Sequence, residues 1–396
     1  MACKNIIQFR SDYYNVCYTR YMRFSSVIWC LLLFTVLFPA QIFAQEVHNE
    51  LQGTYRGKVI EVVSSEERTV PGTQTATPVQ TIDVEVLDGP FDGDIITIEN
   101  DFLALDVGDR FYFNYNVYLD GSESYAVTNI DRRGPLLIFV ALFALAVVAL
   151  GGWQGVRSLV ALGVSFLAIL YVLLPGLLAG YSPLLLSFLV AAGILFGAIF
   201  FTHGFNRESC VAYGGTMMAV GLTGILAIIA VSATELSGFA SDESVYLNFN
   251  TNGLLDFTGL LLGAIIVGVL GVLDDIAVTQ AAVVVELYNS NTALSPWEVY
   301  RRALRVGREH VGALVNTLVL AYAGASLPLL MYFYLAPVGF WSLINSELFA
   351  TEIIRAVIGS IGLIMTVPIV TGLAVWYLKD YKSKHSHGHS HGHSHH

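Results

Sequence analysis

The sequence predicts an all-α polytopic membrane domain preceded by a small extracytoplasmic β-barrel. The 396-residue chain is 55% hydrophobic and only 13% charged, with a mean hydropathy of +0.62, which is too apolar for a soluble globular protein. After residue 134 the apolar residues fall into runs long enough to cross a bilayer as helices. Between residues 46 and 132 they alternate with polar residues, as in half-buried strands.

The first element is predicted to be an export signal over residues 1–44. Arg20 and Arg23 precede the apolar stretch 27–38, and small residues before position 45 are typical of a cleavage site. We expect removal after Ala44; an uncleaved anchor helix is the alternative, and Met22 is a second candidate for the start of translation. Of the four cysteines only Cys210 lies beyond this segment, so no disulfide framework is expected.

Residues 46–132 are predicted to form a separate β domain with an OB-like topology. The clearest alternation lies at residues 81–86, and similar short runs are separated by turn signals such as Asp88-Gly-Pro. About five strands in so few residues favour a closed or nearly closed barrel. The domain lacks the aromatic and basic stripe of single-strand binding, and the net charge of −11 also argues against nucleic acid as a partner.

Residues 134–380 are predicted to form the transmembrane domain. About seven apolar runs have the length that a helix needs to cross ~30 Å of hydrocarbon. They are centred on residues 135–150, 159–178, 184–201, 213–232, 254–273, 311–335 and 353–378. Glycines four residues apart, at 193 and 197 and at 259 and 263, favour close packing between such helices.

The distribution of Lys and Arg predicts the orientation, because these residues are retained on the cytoplasmic side. If the β domain is exported, the cytoplasmic loops carry Arg157, Arg207 and the basic segment 301–308. The external loops, around residues 235–251 and 336–352, carry no Lys or Arg. We therefore expect an inner-membrane protein in the lipid bilayer, with an extracytoplasmic N-terminal domain and a cytoplasmic C-terminus.

Two adjacent carboxylates follow the fifth predicted span. Asp274 and Asp275 come directly after the run 254–273, and the apolar pattern then resumes over residues 276–288. That second stretch is too short to span and too apolar for a free loop. It is predicted to be re-entrant, interfacial or buried in protein, with the Asp pair at its hinge.

Polar residues in this region are candidates for an ion or substrate pathway. On a continued helix Asp275, Thr279 and Glu286 share one face, with Gln280 at its border. Ionisable groups at membrane depth pair, bind ions or relay protons, and oxygen ligands favour hard cations. The alternative is that the Asp pair caps a helix and marks the interface. The candidate pathway residues are Asp274, Asp275, Thr279, Gln280, Glu286 and, from the next span, Asn316 and Tyr322.

A basic helix is predicted to begin at Ser295. The sequence Ser295-Pro-Trp-Glu298 combines an N-cap serine, a proline at the first helical position and a glutamate three residues after the cap. Basic and aromatic side chains together suit anionic lipid headgroups; contact with an anionic substrate or with the nearby carboxylates is the alternative. The membrane-surface residues are Arg301, Arg302, Arg305 and Arg308.

Residues 381–396 form a His-rich tail that is predicted to be cytoplasmic. Histidines alternate with Ser and Gly, unlike an uninterrupted affinity tag, and such imidazoles bind Zn, Ni or Cu ions. A divalent metal ion is therefore the one cofactor that the sequence suggests; a tail without a role in metal handling is the alternative. The candidate ligands are His385, His387, His389, His391, His393, His395 and His396.

Three segments carry a family resemblance: THGFNRES (202–209), GVLDDIAVTQA (271–281) and AGASLPL (323–329). With them the chain resembles the YibE/F family of bacterial multi-pass membrane proteins over nearly everything after the signal. The resemblance implies an extracytoplasmic β region followed by a multi-helix membrane part. It also singles out the Asp pair, Thr279 and Gln280, but it implies no established activity.

We expect a secondary transporter or permease for a small cation or solute, rather than an enzyme. The sequence contains no HExxH or paired-aspartate protease motif. The alternative is a membrane-anchored assembly or sensory module whose external β domain binds a partner. The sequence is also compatible with a homo-oligomer.

Overall fold

The computed structural model describes residues 52–69, 76–118, 121–291 and 293–378. The chain divides into two compact units, with the boundary between Leu150 and Gly151. The predicted signal peptide and the His-rich tail, with its candidate metal ligands, lie outside the described residues.

The first unit contains a five-stranded antiparallel sheet in the order β3-β2-β1-β4-β5. Its edge strands β3 and β5 approach each other, so the sheet curls into a half-barrel. The prediction of about five strands is confirmed. The strands are β1 (Gln52–Thr69), β2 (Ala76–Val86), β3 (Ile95–Asn100), β4 (Arg110–Val117) and β5 (Glu123–Ile130).

The alternation predicted for residues 81–86 places one side of β2 in the core of the sheet. Ile82, Val84 and Val86 are almost completely buried, and they pack with Phe111 and Phe113 of β4. Side chains of a strand point alternately to its two faces, so the residues between them stay on the outer face. The period-two pattern was therefore sufficient to identify the core side of this strand.

Tyr125 lies at the margin of this core. Its hydroxyl donates a hydrogen bond to Oε2 of Glu123, at 2.8 Å. Burial, assisted by the neighbouring Glu123 carboxylate, raises the pKa of Tyr125 to about 12. The side chain is therefore held as the neutral phenol.

The first helical run extends from Arg133 to Leu178, which is 46 residues. Its backbone leaves helical geometry at Gly152, with φ 53° and ψ −135°, a conformation that glycine adopts without a steric penalty. The sequence predicts two spans and a connecting loop here, whereas the structure has one run with a break at Gly152. The run comprises α1 (Arg133–Ala168), a π-helical turn (Ile169–Leu173) and α2 (Leu174–Leu178).

Eight further helices follow in the second unit. They are α3 (Pro183–His203), α4 (Arg207–Ala233), α5 (Asp242–Asn250), α6 (Phe257–Ser290), α7 (Pro296–Ala325), α8 (Leu327–Leu335), α9 (Phe340–Ile344) and α10 (Glu347–Leu378). Within the described residues, five helical runs are long and apolar enough to cross a membrane. A sixth is obtained if α7 and α8, which are bent by 66°, count as one. The predicted number of seven is not reached, because the first two predicted spans form one run.

α6 lies at the centre of the helical unit and packs against α3, α4, α7 and α10. The predicted packing role of its paired glycines is confirmed: Gly259 and Gly263 lie against Pro183 and Ser187 of α3. Gly197, by contrast, has no neighbour within 4 Å that an added Cβ would meet. Close helix approach therefore depends on some of these glycines and not on others.

α6 is one continuous helix of 34 residues, ~51 Å long at 1.5 Å per residue. The predicted hinge at Asp274 is wrong, and residues 276–288 do not form a separate re-entrant or interfacial helix. They are the protein-buried alternative: Ala277, Ala281 and Val284 lie in a cluster with residues of α4, α7 and α10. Packing on these neighbours outweighs the small loss of helix propensity at two aspartates.

α7 begins as predicted, with a capping box at Ser295. The Ser295 hydroxyl accepts a hydrogen bond from the backbone N–H of Glu298, and the Glu298 carboxylate accepts one from the N–H of Ser295 at 2.9 Å. The basic helix continues directly into the span predicted over residues 311–335, because one helix of 30 residues contains both as far as Ala325. The chain between them contains no residue that would break a helix.

Candidate functional site

A crevice of about 340 Å³ lies between α6, α7 and α10. It contains two of the predicted pathway residues, Thr279 and Gln280. Polar side chains of α7 and apolar side chains of all three helices complete its walls. The lining residues are Ile276, Thr279, Gln280, Val306, Gly307, Glu309, His310, Ala313 and Val367.

Gln280 is almost completely buried and joins all three helices. Its Nε2 donates to the carbonyl oxygen of Ala303 in α7, at 2.9 Å, and to Oγ1 of Thr371 in α10, at 2.8 Å. The Thr371 hydroxyl in turn donates to the carbonyl oxygen of Val367, at 2.6 Å. Because both amide protons are used, the amide is held in one orientation, with Oε1 facing α7.

Gly307 allows α7 to approach this amide. A Cβ at position 307 would lie 2.5 Å from Cγ1 of Val367 and 2.9 Å from Oε1 of Gln280. Both distances are shorter than an ordinary van der Waals contact. A side chain at this position would therefore separate α7 from α6 and α10 and change the shape of the crevice.

The acidic pair lies near the middle of α6. Asp274 is 17 residues, or ~26 Å, from the first residue of the helix. Asp274 is half-buried and Asp275 is exposed, and Oδ1 of Asp274 accepts a hydrogen bond from the Asp275 N–H at 2.9 Å. Neither carboxylate forms an ion pair within the part of the chain that the structure describes.

The Asp pair does not line the crevice but lies one helical turn from it. Asp275 and Thr279 are four residues apart, so both lie on the same exposed stripe of α6. The crevice polar groups and the carboxylates therefore follow one another along α6, and a solute that contacts Thr279 is within reach of Asp275.

The other three predicted pathway residues are not in the crevice. Glu286 is exposed and lies seven residues, ~10 Å, beyond Thr279. Asn316 is exposed on α7. Tyr322 is half-buried, and its hydroxyl packs on Gly268, 3.4 Å from where a Cβ would stand.

Glu309 and His310 are crevice residues that the sequence reasoning missed. Both are exposed and follow directly after the arginines assigned to the membrane surface. They could have been identified if α7 had been treated as one continuous helix. The last polar residues before the apolar part of such a helix lie at the membrane boundary, where polar groups are often functional.

A second missed feature is an ion pair on α10. Nη1 of Arg355 lies 2.9 Å from Oε1 of Glu352, and both side chains are about one quarter exposed. The Nε atom of Arg355 is buried and has no hydrogen-bond partner among the described residues. Arg355 falls inside the predicted span 353–378, so the rarity of charges in spans was the available signal.

The four predicted membrane-surface arginines all lie exposed on α7. Beside them the rings of Trp297 and Tyr300 stack, with centroids 5.5 Å apart. Together they form an aromatic and basic segment near the start of α7, which agrees with the composition that suggested headgroup contact.

No cluster of His, Cys, Asp or Glu suited to hold a metal ion occurs among the described residues.

The family comparison matches the helical part of the chain. No curated protein and no solved structure gives a match. The profile of the family described as YibE/F-like protein matches residues 139–380, more than half of the chain, including the acidic pair and every residue of the crevice. The resemblance seen in the sequence is thereby confirmed, and this chain belongs to the YibE/F-like family.

Proposed function

We propose that the chain is a secondary transporter or permease for a cation or a small solute, and not an enzyme. The observation that carries the proposal is the crevice, in which Thr279, Gln280, Glu309 and His310 meet one helical turn from the Asp pair. Charged groups inside membrane proteins usually face a cavity or a partner because they are costly elsewhere. The Asp pair, Thr279 and Gln280 follow one another along α6, so a cation or proton could move from one of these groups to the next.

The chemistry of the crevice favours a cation over an anion. The Gln280 amide has used both of its protons, which leaves Oε1 as an acceptor. The Thr279 hydroxyl and the Glu309 carboxylate add oxygen ligands, and Asp275 adds a further carboxylate one turn away. Hard cations and protons are the species that oxygen groups of this kind bind.

We further propose that the chain lies in the inner membrane with seven spans, an extracytoplasmic β domain and a cytoplasmic C-terminus. The helical run Arg133–Leu178 has 46 residues, more than twice the ~20 that one crossing of a ~30 Å hydrocarbon core needs. Its break at Gly152 is the place where it would divide into two spans. The approach of β3 to β5 supports closure of the sheet into an OB-like barrel.

The second candidate function is an assembly or sensory module that binds a partner through the β domain. It is favoured by three exposed apolar side chains of that domain, Ile95, Phe102 and Val107, each of which is at least 60% exposed. Large apolar side chains left exposed on a soluble domain give a partner an apolar surface to bury.

Flux measurements in proteoliposomes distinguish the two functions. The probes are proton flux, followed with an internal pH dye, and gradients of Na⁺, K⁺, Mg²⁺ and Zn²⁺. For the double variant Asp274→Asn/Asp275→Asn we expect flux to fall at least tenfold, since the groups that attract the cation are removed. Thr279→Ala should lower it by a smaller factor.

Asp242→Asn is the matched control, because it removes an exposed carboxylate from α5, a helix that does not line the crevice. Flux in this variant should stay within twofold of the unmodified protein. Equal flux in the double variant and in the unmodified protein contradicts the transport proposal. If the chain instead captures a partner through residues 52–130 without any flux, the module is the better description.

A further inference from the structure

The outer face of α7 carries a regular series of exposed residues, here called the outer seam. Successive members are four, three, four and three residues apart, which is the spacing of a helix face that packs against another helix. The opposite face of α7 is buried against the bundle through Val299, Ala303 and Gly307. The outer seam consists of Arg305, Glu309, Gly312, Asn316 and Val319, all of them exposed.

Asn316 lies at the level of the middle of α6. Gly307 of α7 contacts Gln280, and Tyr322 of α7 contacts Gly268, so the turn with Asn316 lies between these two levels. Asp274 occupies the same interval on α6. An amide at this depth is costly in hydrocarbon unless another polar group hydrogen-bonds to it.

Neither lipid nor residues 135–150, the first part of the first helical run, can satisfy this amide. Lipid tails offer no hydrogen bonds, and residues 135–150 contain no polar side chain. An asparagine amide has both a hydrogen-bond donor and an acceptor. A second asparagine at the same level can therefore accept a bond from the first and donate one to it. A two-fold axis along the membrane normal provides one, because it brings equal positions of two parallel helices together.

The charges on the seam are also self-complementary. Arg305 and Glu309 lie one turn apart and have opposite signs, and within one chain neither forms an ion pair among the described residues. A two-fold axis sets Arg305 opposite Arg305 and Glu309 opposite Glu309. The oppositely charged residue of the second copy lies one turn, ~6 Å, along the helix, within the reach of an arginine side chain. Gly312, which has nothing within 4 Å of an added Cβ, leaves room for the second backbone.

We propose that the outer seam of α7 is the interface between two copies of this chain, with Asn316 hydrogen-bonded to Asn316 of the second copy. Glu309 belongs both to the seam and to the crevice lining. The interface therefore places Arg305 of the second copy at the edge of the crevice, so that the crevice wall is completed only in the dimer. The interface does not depend on whether the crevice transports a solute.

Disulfide cross-linking of the full chain in native membranes tests the interface. In a background with the four cysteines replaced by serine, Asn316→Cys and Gly312→Cys should each give a cross-linked dimer on oxidation. Met218→Cys is the control, because it is a 57%-exposed position of α4 outside the seam. We expect at least fivefold more dimer at the seam positions, and equal or absent cross-linking there overturns the proposal.

Two further variants separate the interface from its alternatives. An intramolecular disulfide between Asn316→Cys and Leu142→Cys, in place of the dimer, would identify the helix 135–150 as the occupant and overturn the proposal. Single-molecule photobleaching of Asn316→Leu should show at least a threefold loss of dimers, whereas Asn316→Gln retains them. An unchanged dimer fraction in Asn316→Leu refutes the amide pairing.

Discussion

Gln280→Met removes the two hydrogen bonds that connect α6 to α7 and α10, and we expect it to lower the free energy of unfolding by about 1.2 kcal/mol. Interhelical hydrogen bonds in membrane proteins contribute ~0.6 kcal/mol each on average, and Gln280 donates two, at 2.9 and 2.8 Å. Methionine fills a similar volume without a donor, so little of the loss comes from packing.

A double-mutant cycle with Thr371→Val isolates one of these bonds. Valine has the shape of threonine but cannot accept the bond from Nε2, so the single variant loses that bond and its own bond to Val367. In the double variant the shared bond is counted once, and we expect a coupling of about 0.6 kcal/mol.

Thr366→Val is the matched control for this cycle. Thr366 is a buried threonine of the same helix, but its hydroxyl donates to the carbonyl oxygen of Gly362 within α10. Its effect should add to that of Gln280→Met without coupling. The assay is unfolding of the purified full chain by titration with sodium dodecyl sulfate, followed by circular dichroism. If the coupling energy of Gln280→Met with Thr371→Val is no larger than that with Thr366→Val, Gln280 does not donate a hydrogen bond to Thr371.

Two further predictions concern the crevice and the β domain. Gly307→Val should destabilise the helical unit by about 1–3 kcal/mol in the same assay, because even its Cβ would lie 2.5 Å from Val367. Gly197→Ala, where nothing lies within 4 Å, should be neutral or stabilising, and equal effects of the two contradict the packing argument. Glu123→Gln should make the alkaline loss of β5 stability smaller and end it at a lower pH, because it lowers the folded pKa of Tyr125 but not the unfolded one. The folded pKa of Tyr125, about 12, exceeds the unfolded value of ~10, so the neutral phenol stabilises fully below pH ~10 and this contribution is lost by about pH 12. Hydrogen exchange of β5 measures the shift, and an unchanged profile excludes a contribution of the carboxylate.

The strands could be predicted because their signal is local. Alternation in β2 follows from one buried and one exposed face, so residues 81–86 reveal both the element and its inner side without knowledge of the rest of the sheet. The same holds for the start of α7, where the capping box at Ser295 uses only neighbouring residues. Features that depend only on neighbouring residues can be predicted from the sequence alone.

The continuity of α6 and α7 could not be predicted in this way. Length and composition place a boundary where charges appear, at Asp274 in one helix and before Val311 in the other. The helix α6 has no such boundary, because tertiary packing keeps it continuous. The residues after Asp274 bury apolar side chains against three other helices. An aspartate in a helix interior costs at most ~0.7 kcal/mol relative to alanine, which such burial exceeds.

The site was predicted in part for the same reason. Thr279 and Gln280 follow the Asp pair on one helix, so helical spacing was enough to include them. Glu309 and Thr371 contact the same region from helices that are about 30 and 90 residues away in the chain. Such contacts depend on how the helices pack, and Gly307, which allows the approach, has no side chain to draw attention to it.

The packing of α6 also explains why two charges can stand in the middle of an apolar helix. α3, α4 and α10 cover the other sides of α6 and leave one stripe open, and Asp275 and Thr279 lie on that stripe. The apolar pattern continues after the charges because the buried sides continue, so no hinge is needed. An open stripe with a carboxylate at membrane depth has to face water or a partner, since lipid would not solvate it. Water at this stripe gives the pathway that we propose, whereas a protein partner would have to bring positive charge. Arg305 of the outer seam lies on the neighbouring helix. A water-filled pathway and a second copy of the chain are thus two separate ways to stabilise charged and polar groups on this side of the bundle. Flux measurements test the first, and cross-linking tests the second.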